Sequence, residues 1–253
     1  MDKVNTRSRK VPKARRAVGR GAEEQALRNL THELRTALGA IIGFSETMRS
    51  ELYGPINNDH YKDYADGIFH SGKHLLDLLN AYTDFSALQD GNLELQEEPV
   101  DLDLLVGQVL RVFRPGAKKS DVNISSNPLG ALPSLFVDKA RFKQILSSLL
   151  FHAIHRAPNG GDVGIRVNER DGGMVIKIRH SGAAMTDEEI SEALKESISS
   201  APNWLYRKEA SAGLGLLMAS KLTEALGGAF SISGKPGKGT MVRLFFPQEC
   251  LVA

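Results

Sequence analysis

The sequence predicts an α + α/β protein: a helical hairpin that pairs with a second copy into a four-helix bundle, followed by an α/β sandwich. Three observations point there. Apolar residues fall at three- and four-residue steps through residues 23–90, with one break. Beyond residue 91 the pattern changes to short alternating runs bounded by glycine turns. The single cysteine, Cys250, rules out a disulfide framework or a cysteine metal cluster.

Residues 1–22 open the chain with Lys3, Arg7, Arg9, Lys10, Lys13, Arg15, Arg16 and Arg20 against Asp2. So few large apolar side chains cannot repay the entropy of ordering, so a basic disordered tail is expected. Contact of that tail with nucleic acid or an anionic membrane is the alternative. The whole chain has a net charge of only +2, so no nucleic-acid partner is expected. No apolar run reaches the roughly 20 residues of a membrane span, and no signal peptide is visible. A cytoplasmic protein is the expectation.

Residues 23–90 begin with Leu27, Leu30, Leu34, Leu38, Ile41, Ile42, Phe44 and Met48, the spacing of an amphipathic helix. Gly54-Pro55 and Asn57-Asn58-Asp59 interrupt it. Tyr61, Tyr64, Ala65, Ile68, Leu75, Leu79, Tyr82 and Phe85 then form a coiled-coil-like seam. A two-helix hairpin cannot cover its apolar faces alone, and a homodimeric bundle of four helices covers them.

Residues 91–253 read as mixed α/β. Helices are expected at Leu102–Phe113, Lys139–His155 and Gly215–Leu226, and strands at Val163–Val167, Met174–Arg179, Ala229–Ser233 and Thr240–Phe246. Asp171-Gly172-Gly173 signals a hairpin between the first two strands.

Chemistry enters at His32. Neutral imidazole is available near pH 7 and can act as a nucleophile. Glu33 follows it, and a carboxylate there can accept or orient the ring proton. Thr36 lies one helical turn on, where its hydroxyl could position a water. A histidine on a helix is, taken alone, usually a surface residue. Its surroundings decide otherwise. Leu30-Thr31-His32-Glu33-Leu34-Arg35-Thr36-Ala37-Leu38 resembles the H-box of sensor histidine kinases. Leu52-Tyr53-Gly54-Pro55-Ile56 and Ser71-Gly72-Lys73-His74-Leu75-Leu76 resemble the hairpin and second helix of the PleC- and DivJ-type subfamily. Gly213-Leu214-Gly215-Leu216 resembles the family's glycine box, and Gly237-Lys238-Gly239-Thr240 its final hairpin.

The resemblance implies a dimerisation and phosphoacceptor domain over 23–90 and a histidine-kinase ATPase-like domain over 91–253. It makes His32 the phosphorylated residue, Glu33 its base and Thr36 a residue used in dephosphorylating the partner. It also implies nucleotide positions at His152, His180, Gly182, Gly213 and Gly215. Two of these depart from the family. His152 stands where an asparagine amide oxygen would hold Mg²⁺, and His180 where an aspartate would accept from the adenine amino group. Ser148, His155, Arg156 and Ala184 depart nearby. Imidazole is a poor Mg²⁺ ligand, so the site is read as degenerate, with no cofactor and no metal expected.

Three functions follow from these residues. The first is phosphotransfer, with His32 exchanging phosphate with the receiver aspartate of a response regulator, and with a possible phosphatase activity. The second is an ATP-dependent histidine kinase, which would need Mg-ATP. The third is a non-catalytic regulator-binding scaffold. No sensor module precedes the helices in this sequence, so input is expected through a partner, with an upstream histidine kinase one candidate.

Overall fold

The structure is a computed structural model that describes residues 7–10, 21–89, 93–127, 132–170, 172–195 and 210–252. The chain divides into two compact units, Lys13–Gly91 and Asn92–Ala253 together with Met1–Pro12.

The first unit is a helical hairpin of α1 (Gly21–Arg49) and α2 (Asp59–Gln89). Gly54, with φ of 122°, turns the chain between them, and the Asn58 side chain accepts from the His60 amide at 2.9 Å to cap α2. Contacts between the helices run in opposite directions. Arg49 pairs with Asp66, Ile42 packs on Gly72, and Arg35 donates to Asn80 at 2.9 Å. The seam uses small residues: Ser45 and Ala65 are fully buried, and a Cβ on Gly72 would meet Ile42 at 3.0 Å.

The second unit is an α/β sandwich. In chain order its elements are β1 (Arg7–Lys10), β2 (Glu94–Val100), α3 (Leu102–Lys119), β3 (Asn123–Ser126), β4 (Ser134–Asp138), α4 (Lys139–Arg156), β5 (Asp162–Arg170) and β6 (Gly173–His180). They continue with α5 (Asp187–Leu194), α6 (Ala210–Ala225), β7 (Ala229–Lys235), β8 (Gly239–Pro247) and β9 (Leu251–Val252). One sheet runs β1-β2-β4-β9 and the other β3-β5-β6-β8-β7. In the larger sheet β3 and β5 pair parallel, and the β5–β6, β6–β8 and β7–β8 pairs are antiparallel.

Helices α3, α4 and α6 cover that sheet: α3 and α4 each carry an apolar stripe, and α6 is apolar on nearly every side, with Leu216, Leu217, Met218 and Ala219 buried in succession. On α3 the stripe is Leu102, Leu105, Val106, Val109 and Leu110, and on α4 it includes Phe142, Ile145, Leu146, Leu149 and Leu150. Phe142 meets Phe246 of β8 edge-to-face at 5.5 Å. Burial of each such side chain contributes roughly 1.5–3 kcal/mol.

Residues 7–10 correct the sequence reading. They fall in the stretch expected as a disordered tail, yet they form β1, antiparallel to β2 with Arg7 opposite Glu97 and Lys10 opposite Glu94. The reason is tertiary: Arg9 ion-pairs with Glu97 at 3.0 Å and donates to the Ala225 carbonyl at 2.7 Å. The rest of that stretch, apart from the first two residues of α1, lies outside the described residues.

Two helices also differ in length from the expectation. The third helix runs through Pro115 to Lys119, because Asp101 caps its start and Ser120 its end. The glycine-box helix begins at Ala210 rather than Gly215, so both glycines lie within helix. Among the described residues no helix is long and apolar enough to cross a membrane.

Candidate functional site

The candidate phosphoacceptor run lies near the middle of α1, and the spacing of positions 32 and 36 puts them on one face. The side chains of His32 and Glu33 lie outside the described residues, so only their place on the helix is fixed. Thr36 is exposed. The Arg35–Asn80 bond ties the hairpin together from within this run, a contact that the sequence did not single out. The same antiparallel register brings Thr31 level with Asp84, and both are buried.

The nucleotide-site positions of the second unit form a separate cluster. His152 projects from α4 and His180 ends β6, and their rings meet edge-to-face with centroids 6.0 Å apart. Both are nearly enclosed, at 4% and 2% exposure. Burial, then the charges of His180, Arg156 and His155, pushes the His152 imidazole down to about 4. Burial and Arg156 push His180 down to about 4 as well. Both rings are therefore neutral at pH 7.

The hydrogen bonds of His180 fix its tautomer. Its Nδ1 faces the Gly182 amide at 3.2 Å and accepts from it. The ring hydrogen of the neutral form then sits on Nε2, a buried atom with no hydrogen-bond partner among the described residues. Gly182 is required for this approach, since a Cβ there would fall 1.8 Å from the Arg156 carbonyl oxygen. One turn earlier on the same face of α4, Ser148 donates to the Gly215 carbonyl at 3.1 Å, fastening α6 to α4. Gly213 lies on the same helix.

These groups can be tested against Mg-ATP. Magnesium takes oxygen ligands, and His152 presents a neutral, buried nitrogen at the expected ligand position. An adenine amino group donates, and His180 presents an N–H that also donates. The side chains at these two positions do not fit the group. Among the described residues no cluster of three or more His, Cys, Asp or Glu could hold a metal ion. The sequence identified these positions, and the resemblance implied that His180 lies near His152; the edge-to-face ring geometry comes from the α4–β6 packing.

Comparison with known proteins agrees with this division. Residues 22–91 match the family model of the His Kinase A (phospho-acceptor) domain, and residues 137–249 that of the histidine kinase-, DNA gyrase B- and HSP90-like ATPase. The cell-division control histidine kinase PdhS of Brucella abortus (strain 2308) is 35% identical over 95% of this chain. The chain spans about a quarter (24%) of that relative's length. Among solved structures, full-length ShkA in complex with AMPPNP is 26% identical, with a TM-score of 0.63 over 88% of this chain and 45% of its own. Histidine kinase ThkA in complex with the response regulator TrrA shares the fold at 17% identity, with a TM-score of 0.55 over 90% of this chain and 62% of that one. A phosphoacceptor hairpin followed by an ATPase-type sandwich, matched along nearly its whole length, places this chain in the histidine kinase family of two-component signalling proteins.

Proposed function

We propose that this chain carries phosphate on His32 and exchanges it with the receiver aspartate of a response regulator, without using ATP itself. The observation that carries this reading is the buried, neutral His152–His180 pair, standing where Mg-ATP chemistry needs oxygen ligands and an acceptor. The phosphoacceptor run His32-Glu33-Leu34-Arg35-Thr36 is by contrast intact on α1.

In the transfer, the unprotonated ring nitrogen of His32 attacks phosphorus in an aspartyl phosphate. The bond from phosphorus to the acyl oxygen breaks and the receiver carboxylate leaves. Glu33 takes the proton from the other ring nitrogen. An acyl phosphate is already a high-energy donor, so positioning suffices. Thr36 orients water for hydrolysis of the same phosphate. The partner is a receiver domain, in keeping with ThkA solved with its regulator.

A second reading, ATP-dependent autophosphorylation, is favoured by family membership and by ShkA in complex with AMPPNP. A third is a scaffold that binds a regulator without carrying phosphate. One experiment separates the three: offer the full chain labelled Mg-ATP, then a receiver carrying labelled phosphate, and follow label on His32. Label from the receiver alone is expected. Label from ATP overturns the reading in favour of the second, and no label from either source leaves the scaffold. Calorimetric titration with Mg-ATP should give no binding heat at sub-millimolar concentrations, and a micromolar dissociation constant would contradict the proposal.

Self-association belongs to the same reading. Phe44, Met48, Leu52, Tyr61 and Tyr64 of the hairpin are more than half exposed, and Ile41, Ile68 and Leu75 nearly so. A contiguous set of this size marks an interface. A second copy of the hairpin would bury it in a four-helix bundle. Light scattering should give about twice the 27.6 kDa chain mass. A monomer at micromolar concentration would exclude the bundle.

A further inference from the structure

Strand β1 and strand β2 flank the helical unit in sequence, and they are hydrogen-bonded neighbours in one sheet. Lys10 lies opposite Glu94, so the whole of α1 and α2 is inserted between two residues that face each other across a ladder. The pairing is also matched in charge. Arg7, Arg9 and Lys10 meet a strand carrying Glu94, Glu97 and Glu98.

Arg9 does more than line the edge. Its Nη2 lies 3.0 Å from Oε1 of Glu97, whose side chain is only 9% exposed, and its Nε donates to the same oxygen at 3.1 Å. Nη2 also donates to the carbonyl of Ala225, the last residue of α6, at 2.7 Å. That carbonyl is one of the four a helix leaves without an intrahelical partner, and a cation there is favoured by the helix dipole. One guanidinium thus joins the chain ahead of the hairpin, the strand after it and the glycine-box helix.

We infer that β1 is a displaceable clasp. Paired, it covers the acidic edge of β2 and braces the end of α6; released, it exposes that edge. Four residues at a sheet edge, with a side chain that is 41% exposed, form a unit that opens locally and not with the core. Release also leaves the Glu97 carboxylate and the Ala225 carbonyl without the guanidinium that bridges them. An opened edge is a template for another extended segment, and here a basic one fits.

Hydrogen exchange on the full chain tests the clasp, with Arg9→Ala and the charge swap Arg9→Glu/Glu97→Arg beside the parent. Arg9→Ala should speed exchange several-fold in residues 7–10 and 94–97 and in the last turn of α6, leaving β6 and β8 unchanged. The charge swap should restore part of the β1–β2 protection but none at α6, because glutamate cannot donate to the Ala225 carbonyl. Unchanged exchange in 94–97 with Arg9→Ala overturns the clasp. So does an effect of the charge swap equal to that of Arg9→Ala at both places. If Arg9→Ala also weakens β6 and β8, Arg9→Gln carries the β1–β2 arm of the test: faster exchange in 94–97 is expected, and unchanged exchange there overturns the clasp.

Discussion

Replacing His32 by alanine should abolish labelling of this protein by a phosphorylated receiver. The expected effect is complete because the proposed transfer makes one covalent bond to this chain, at an imidazole nitrogen, and alanine has no nucleophile. The fold should survive. Position 32 is an interior position of a helix of 29 residues, and alanine has the highest helix propensity. Circular dichroism and the oligomeric mass should therefore match the parent. Thr36→Ala should leave transfer largely unchanged and slow water-driven loss of phosphate from the receiver, because the hydroxyl is proposed only to orient water. Label that persists in His32→Ala would move the acceptor to another residue. An equal loss of transfer and hydrolysis in Thr36→Ala would show that the threonine serves docking or structure.

Much of the fold was readable because local pattern and tertiary burial agree. The β5–β6 hairpin follows from Asp171-Gly172-Gly173: Gly172 has φ of 72°, and the strands pair from Arg170 opposite Gly173 to Val163 opposite His180. The α1–α2 break follows from Gly54 and Asn58. Reading failed where distant contacts override local propensity. Arg9 is 88 residues from Glu97 and 216 from Ala225, so no local rule foretells that a basic stretch becomes a strand. Pro115 reads as a helix stop, yet α3 continues to Lys119 and buries Ala117 beyond it. Strand β2 was missed because Leu95 and Val100 sit among four glutamate and glutamine side chains, although Glu97 on the same strand is buried too.

The candidate site divides in the same way. The phosphoacceptor run is local in sequence, so a resemblance over nine residues suffices to locate it. The histidines at positions 152 and 180 could be named from their places in two boxes, and their nearness from the resemblance, but not the ring geometry or the tautomer of His180. Those depend on the Gly182 amide turning back onto Nδ1, which the close passage of the Arg156 carbonyl over Gly182 enforces.

Acid should destabilise the ATPase-type unit strongly, and the buried histidine pair should be the cause. Both imidazoles are held near 4 in the folded chain, against 6.5 for the group when unfolded. Between these values the unfolded state binds more protons, so stability falls as pH falls. The contribution is fully present above pH 6.5, is lost progressively down to about pH 4, and changes little below. Each histidine should add a slope of up to about 1.4 kcal/mol per pH unit, so roughly 3 kcal/mol across the window. The two do not simply add, because part of the His152 shift is repulsion from a charged His180. The Arg156 guanidinium disfavours both protonations. Losses of this size matter against a total domain stability of roughly 5–15 kcal/mol. Denaturant unfolding of the full chain at stepped pH from 7 to 4 should show the steep limb. The variant His152→Asn/His180→Asn removes both titrations, and carboxylate effects common to the two proteins cancel in the difference. Its stability should therefore fall less steeply over this window, whatever its stability at pH 7. Parallel pH profiles for the two proteins would mean that the pair is protonated, or open to water, in the folded state.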